Sequence, residues 1–234
     1  MNHNILITGA AGGLGRALAL EFAGRGAQVM LVDRNLKGLE RVCDEIETLD
    51  GPAPAYCQLD LLKAGPQECE ELLSGLTEAY GELDSLVHCA ARFQGLQPMD
   101  QVAGDEWLTL VQINLNAAWL LSTLALPSLR KSGGALLFTL HEEAARGDAY
   151  WGPYGVSKAG LRCMAGTFAE ELEGTGVRVH GVDPGPMRTS LRATAFHSED
   201  PDTVPEPAGP ARQIAQLVLE PAPSAPVFLS LADS

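Results

Sequence analysis

The sequence predicts an α/β fold: a doubly wound, mostly parallel sheet of about seven strands with helices on both faces. Three observations carry this. Short apolar runs recur along the chain, the pattern of strands buried on both faces. Between them lie stretches with apolar residues three and four apart, the pattern of helices with one buried face. The two kinds alternate along the whole chain, as they must when helices connect parallel strands. The 234 residues suit one domain, residues 1–234, with a glycine-rich half over about 1–90 and a second half over about 91–234.

Residues 4–8 form the first strand. Thr8-Gly9-Ala10-Ala11-Gly12-Gly13-Leu14-Gly15 follows, then a helix with Leu14, Leu18 and Phe22 at a spacing of four, ended by Gly24 to Gly26. In a strand–turn–helix unit of this kind, glycines let backbone N–H groups approach a pyrophosphate, and the helix N-terminus favours its charge. Residues 28–32 are the second strand, closed by Asp33. An acid about twenty residues past such a turn accepts hydrogen bonds from an adenosine ribose and repels a 2′-phosphate. NAD is therefore expected over NADP, although Arg34 beside it can meet a 2′-phosphate.

A helix over 36–49 ends at the breaker Gly51-Pro52-Ala53-Pro54. Residues 55–59 are a strand closing on Asp60, and 66–80 an acidic amphipathic helix with Pro66 in its first turn. A strand over 83–89, a long apolar helix over 105–129, a strand over 135–140, a helix over 150–173 and a strand over 177–182 complete the alternation. Residues 187–210 are irregular and rich in Pro, Ser, Thr and acids, the pattern of a functional loop. A helix over 211–219 and a strand over 227–231 end the chain.

The net charge is −14 and the pI about 4.7. No basic face is on offer to a nucleic acid or an anionic membrane, so neither is expected as a partner. No apolar run is expected to be long enough to span a bilayer. Met1-Asn2-His3-Asn4 runs directly into an apolar strand pattern, so no secretion signal is expected. The five scattered cysteines form no C-x-x-C pair, which points to a reducing cytoplasm and to no metal site.

Tyr154 and Lys158 stand four apart on the helix over 150–173, so both side chains share one face. A cation that close is expected to lower the Tyr pKa and ready the phenol for proton transfer while hydride moves at an adjacent carbon. The same spacing also occurs as an ordinary amphipathic pair.

Taken together, these motifs resemble the short-chain dehydrogenase/reductase family in its short single-domain form. The T-G-x-x-x-G-x-G motif is matched by Thr8, Gly9, Gly13 and Gly15. The Tyr-x-x-x-Lys pair is matched by Tyr154 and Lys158, and Pro-Gly after the sixth strand by Pro184-Gly185. The resemblance implies that Asp60 contacts adenine and that Asn114 holds a water relaying protons to Lys158. It implies that Lys158 binds the nicotinamide ribose, and that Leu14, Ala90 and Thr189 lie at the cofactor. It implies a strand order 3-2-1-4-5-6-7, an NAD or NADP cofactor, an alcohol/carbonyl substrate, and a homodimer or homotetramer formed through the two long helices.

The departures gather at the nicotinamide end. Where the family has Asn-Asn-Ala-Gly, this chain has His88-Cys89-Ala90-Ala91. Where it has the serine that polarises the substrate oxygen, this chain has His141. Three readings of His141 compete: it donates a hydrogen bond in the serine's place, it fills a site that has lost activity, or Thr139, on the same strand face, supplies the hydroxyl. Cys89 reads as a small buried hydrophobe rather than a reactive thiol. Phe93, Trp151, Met187 and Phe196 are candidates to line an apolar substrate pocket, and Arg188 or Arg192 to meet an acidic group. Two functions follow from the same residues: an NAD(P)-dependent oxidoreductase, or a dinucleotide-binding sensor or interaction module without dehydrogenase activity.

Overall fold

The computed structural model describes residues 3–220 and 225–232. Met1 and Asn2 of the N-terminal stretch lie outside the described residues. β1 (Asn4–Thr8) is buried along its length. It leads through the glycine turn into α1 (Gly13–Gly24), which buries Leu14, Leu18 and Phe22 on one face, as a spacing of four requires. β2 (Gln28–Asp33), α2 (Leu36–Glu47), β3 (Ala55–Gln58), α3 (Pro66–Tyr80) and β4 (Ser85–His88) follow. Asn35 caps α2 by accepting from Gly38 N–H, and Glu68 reaches back to Gly65 N–H at the head of α3. Each thereby satisfies an N–H group that a helix start leaves free.

α4 (Gly104–Val111), α5 (Ala117–Ser132), β5 (Ala135–Thr139), α6 (Glu142–Ala145), α7 (Gly152–Glu171), β6 (Arg178–Asp183), α8 (Ser190–Ala195), α9 (Ala208–Leu219) and β7 (Phe228–Ser230) complete the order. Among the described residues the sheet has seven strands, all parallel, in the order β3-β2-β1-β4-β5-β6-β7. Alternate residues face opposite layers. Ile5, Ile7, Val29 and Leu31 pack under α1, α2 and α9. Leu6, Met30, Leu136 and Phe138 pack under α3, α5 and α7. The order of strands reverses between β1 and β4, and the crevice past their C-terminal ends is where such sheets bind ligands.

The structure corrects several boundaries. The helix expected over 105–129 runs over Gly104–Ser132, interrupted by a π-turn at Gln112–Asn116, where Ala117 N–H bonds back to the Gln112 carbonyl. This helix is long and apolar enough to cross a membrane by length and composition, contrary to the expectation that no run reaches that length. Here it lies along the sheet and buries Leu121, Ala125 and Leu129, while Leu108 and Trp119 stay exposed on its outer face. α7 starts at Gly152, not Tyr150, because Tyr150 sits at φ 74°, outside the helical range. Residues 187–210 hold α8 and a 3-10 turn at Pro201–Thr203, and α9 takes Pro210 into its first turn, where a missing N–H does no harm.

Candidate active site

One cleft runs from the glycine turn, past the ends of β2 and β3, to Tyr154 and α8. Its first wall is backbone. Gly9 has φ 69°, and a Cβ there would stand 2.6 Å from Ala90 N. A Cβ on Gly15 would stand 2.2 Å from the Gly9 carbonyl oxygen, and one on Gly13 2.5 Å from Thr189 Cγ2. Each of these positions excludes a side chain, which keeps the turn tight and the head of α1 open to the cleft. No side chain caps that head, so its first N–H groups remain available to an anion.

Leu14, Asp33, Arg34, Asp60, Ala90, Pro184, Gly185 and Thr189 all line the cleft with Gly9, Gly13 and Gly15. Asp33 accepts from Ala11 N–H at 3.2 Å and Asn35 N–H at 2.9 Å. Asp60 accepts from Leu62 N–H at 3.1 Å. These bonds fix both carboxylates at the ends of their strands. Two residues expected at the cofactor or in catalysis, Thr8 and Asn114, stand outside the cleft wall. Thr8 is fully buried and its hydroxyl accepts from Ala90 N–H at 3.3 Å, so it joins β1 to the end of β4. Asn114, in the π-turn, is buried as well. Its side chain accepts from Arg92 N–H and donates to the Arg92 carbonyl and the Ser157 hydroxyl. π-turns are frequent at functional sites. This one aims Asn114 at the loop after β4, which holds Arg92 in the cleft wall.

The far wall is made of side chains. Tyr154 and Lys158 lie on one face of α7, as their spacing requires, and both are buried. Lys158 Nζ donates to the Thr139 carbonyl at 2.8 Å and lies 5.7 Å from the centre of the Tyr154 ring. The phenol is hydrogen-bonded to His141, whose Nδ1 stands 3.2 Å from Tyr154 Oη. The expectation that Lys158 lowers the Tyr154 pKa is corrected here. Burial raises the phenol well above its ordinary value, and the charge of Asp183 raises it further. Burial also lowers Lys158 from 10.5 to about 8, against the opposing pull of Cys89 and Asp183.

Asp183 carried no signal of its own in the sequence beyond an acid closing a strand, the pattern shared by Asp33 and Asp60. In the structure it ties two loops together. It accepts from Glu142 N–H at 2.9 Å and from Gly185 N–H at 3.0 Å. Thr139 directs its hydroxyl to the His88 carbonyl at 2.8 Å, and His141 is the strand-end group bonded to Tyr154. His88 is buried, bonds Ser122 through Nε2 at 2.9 Å, and stacks on Phe138. Burial pushes the Cys89 thiol up to about 12, so it is a neutral wall of the cleft at physiological pH.

Of the apolar candidates, Phe196 and Met187 line the cleft, while Phe93 and Trp151 stand behind it. Trp151 sets its ring edge-on to His141, centroids 5.0 Å apart, and Phe93 does the same to Tyr154 at 5.0 Å. Arg192 lines the cleft, bonded to Glu199 at 2.6 Å. Arg188 turns away to Asp202 and Glu206.

A family model described as short chain dehydrogenase matches residues 3–200. The chain belongs to the short chain dehydrogenase family. It is 36% identical over 205 residues to the uncharacterized oxidoreductase YciK of Escherichia coli strain K12, covering 87% of this chain and 81% of that one. Among solved structures, a short chain dehydrogenase from Shigella flexneri complexed with NADP superposes with a TM-score of 0.94 at 33% identity, over 100% of this chain and 98% of that one. One from Escherichia coli CFT073 complexed with NADPH gives 0.92 at 33%, over 98% and 96%. Family membership makes this a short chain dehydrogenase fold, and the cleft's glycine wall and strand-end carboxylates are shaped to fit a dinucleotide.

Proposed function

We propose that this short chain dehydrogenase interconverts an alcohol and a carbonyl, with Tyr154 as the acid/base and NADP(H) as the carrier. The observation that carries the reading is continuity: one cleft joins the glycine turn to the Tyr154 hydroxyl. A nicotinamide dinucleotide, when bound, supplies or accepts the hydride. The chain's own residues hold it and handle the proton. Gly9, Gly13 and Gly15 admit the pyrophosphate to the head of α1, and Asp60 stands at the adenine end. Lys158, buried beside Tyr154, is placed to meet the nicotinamide ribose. His141 takes the strand-end position beside Tyr154 Oη, where it can orient the reacting oxygen.

The carrier differs from the NAD that Asp33 alone predicts. Both Asp33 oxygens already accept backbone N–H groups, and Arg34 makes no ion pair among the described residues. The two solved relatives with cofactor hold NADP and NADPH. Calorimetric titration tests the choice: NADPH is expected to bind more tightly than NADH, and Arg34→Ala to weaken NADPH by about tenfold through loss of a charge-assisted contact. Tighter NADH binding by the unmodified protein would return the choice to Asp33.

Turnover against a broad panel of alcohols and carbonyls with each dinucleotide tests the reaction. Dinucleotide binding without turnover would favour the sensor or interaction module. That reading draws on one observation, the phenol held protonated by burial and Asp183 with no bond from Lys158.

The assembly we propose is a homodimer or homotetramer through the outer faces of the 104–132 helix and α7. Leu108, Trp119 and Val156 are exposed there, more apolar surface than one protomer's sheet uses. Light scattering at micromolar concentration is expected to give twice or four times the chain mass, and a monomeric mass would end this proposal.

A further inference from the structure

Tyr154 Oη meets one ring nitrogen of His141, and a carboxylate faces the other. His141 Nε2 lies 4.0 Å from Glu143 Oε2, on the side opposite the 3.2 Å contact of Nδ1 with Tyr154. Glu143 is half exposed, whereas the His141 side chain is only 22% exposed. The three groups therefore form a line from the buried phenol to solvent. Trp151, itself buried, sets its ring against the imidazole and keeps that line in place.

From this line we infer that Glu143, His141 and Tyr154 form a proton relay, in which the charge state of His141 sets the direction of the Tyr154 hydroxyl and so the direction of reaction for which the site is poised. The inference rests on the proposed role of Tyr154 as acid/base. Electrostatics chooses the tautomer. A neutral imidazole with hydrogen on Nδ1 would point its Nε2 lone pair at the Glu143 carboxylate, which is repulsive. With hydrogen on Nε2, that N–H faces the carboxylate and Nδ1 accepts from Tyr154 O–H. The phenol oxygen then offers its lone pairs to the substrate and can accept an alcohol proton. When the ring is charged, Nδ1–H donates to Tyr154 Oη. The tyrosine O–H then turns to the substrate and can protonate a carbonyl oxygen.

The step balances in both directions. In oxidation the substrate O–H proton passes to Tyr154 Oη, the Tyr154 proton passes to His141 Nδ1, and the carbinol hydride leaves to the oxidised nicotinamide named above. The imidazolium pairs with Glu143 and then gives one proton to solvent. Reduction runs the same transfers backwards, beginning from the imidazolium. Burial disfavours the charged ring, as do Lys158 on α7 and Arg192 on α8, while Asp183 on β6 and Glu143 on α6 favour it. Glu143 is the group among these whose carboxylate stands on the solvent side, 4.0 Å from the imidazole's outer nitrogen. It is a positioning residue.

The test uses the cofactor-free full chain labelled with ¹⁵N-histidine, His141 being assigned by its loss in His141→Gln. The expected spectrum of neutral His141 is that of the Nε2–H tautomer, with Nδ1 as an acceptor. Tyr154→Phe should move the Nδ1 resonance towards an unbonded value, and Glu143→Gln should lower the His141 titration midpoint by about half a pH unit. In the active enzyme, the pH at which the saturated rates (kcat) of oxidation and reduction cross should fall in Glu143→Gln, with compensating changes in KM. An Nδ1–H tautomer in the unmodified chain, or a midpoint indifferent to Glu143, would overturn the relay whether or not the enzyme turns over. Failure of turnover on every substrate would instead count against the proposed function, because the tautomer is read without substrate or cofactor.

Discussion

At the glycine turn the cleft wall is backbone; at Tyr154 it is a set of side chains touching one another. Gly9, Gly13 and Gly15 leave no room for a Cβ, so that end matches the family motif position by position. At the other end His141, Trp151, Tyr154 and Phe93 are in ring contact, and His88 supports Thr139 from behind. A wall of backbone fails at any single substitution. A wall of side chains can be rebuilt if several residues change together, and the departures at His88, Cys89, Ala91 and His141 lie within one such wall. The difference teaches that a lost family residue is weak evidence for lost chemistry when its neighbours have also changed.

Breaking each wall should separate the two. The largest effect is expected from Tyr154→Phe, which removes the proton donor while leaving the ring packing. Turnover should fall on the order of a thousandfold, and dinucleotide affinity should change by less than about threefold. A retained rate would shift the acid/base role to another group. Gly9→Ala is the counterpart. It forces a side chain into φ 69° and against Ala90 N, a strain of roughly 1–3 kcal/mol even before the backbone shifts. Dinucleotide affinity should drop by about a hundredfold, read by calorimetry, with turnover lost in proportion to occupancy. Unchanged affinity would mean the turn does not hold the dinucleotide.

The smallest effect sharpens the comparison by using stability. Lys158 is buried and its pKa falls from 10.5 to about 8. Between those values the unfolded chain binds more protons than the folded one, so stability rises with pH across about 8 to 10.5, and the penalty is fully present below 8. Lys158→Met removes that penalty and loses the bond to the Thr139 carbonyl. A net gain of about 1–2 kcal/mol at pH 7 is expected, visible as a higher Tm, with activity lost. A lower Tm would mean that the bond to Thr139 outweighs the burial.

What could be read from the sequence follows the same division. Strand runs, helix spacing and the glycine turn are local patterns, and they set out the strands along the chain and Asp33 at the end of the second, while the order of strands in the sheet and the places of Asp60 and Gly185 came from the family resemblance. The π-turn was hidden because it shifts the hydrogen-bond register by one residue while the apolar pattern continues through Leu115. Asp183 was hidden because Glu142, the partner that ties it to the neighbouring strand's loop, is joined to it only by the fold. The Tyr154 pKa was misjudged because the spacing to Lys158 shows a shared face but not how deeply both are buried. The short α8 was missed because six residues make too little pattern to stand out from a loop.

The segment from Arg188 to Glu206 holds its charged contacts within itself: Arg192 with Glu199, and Arg188 with Asp202 and Glu206. Its hold on the rest of the molecule is greasy by contrast, with Leu191, Ala195 and Phe196 against Trp151 and Tyr154, and Thr189 against Gly13. Such a flap can swing as one stiff piece without breaking an ion pair. Added salt will soften the flap internally but will not unlatch it. Cooling will, because apolar contact weakens as temperature falls. The mouth of the cleft should therefore answer to temperature rather than to ionic strength, and open wider in the cold.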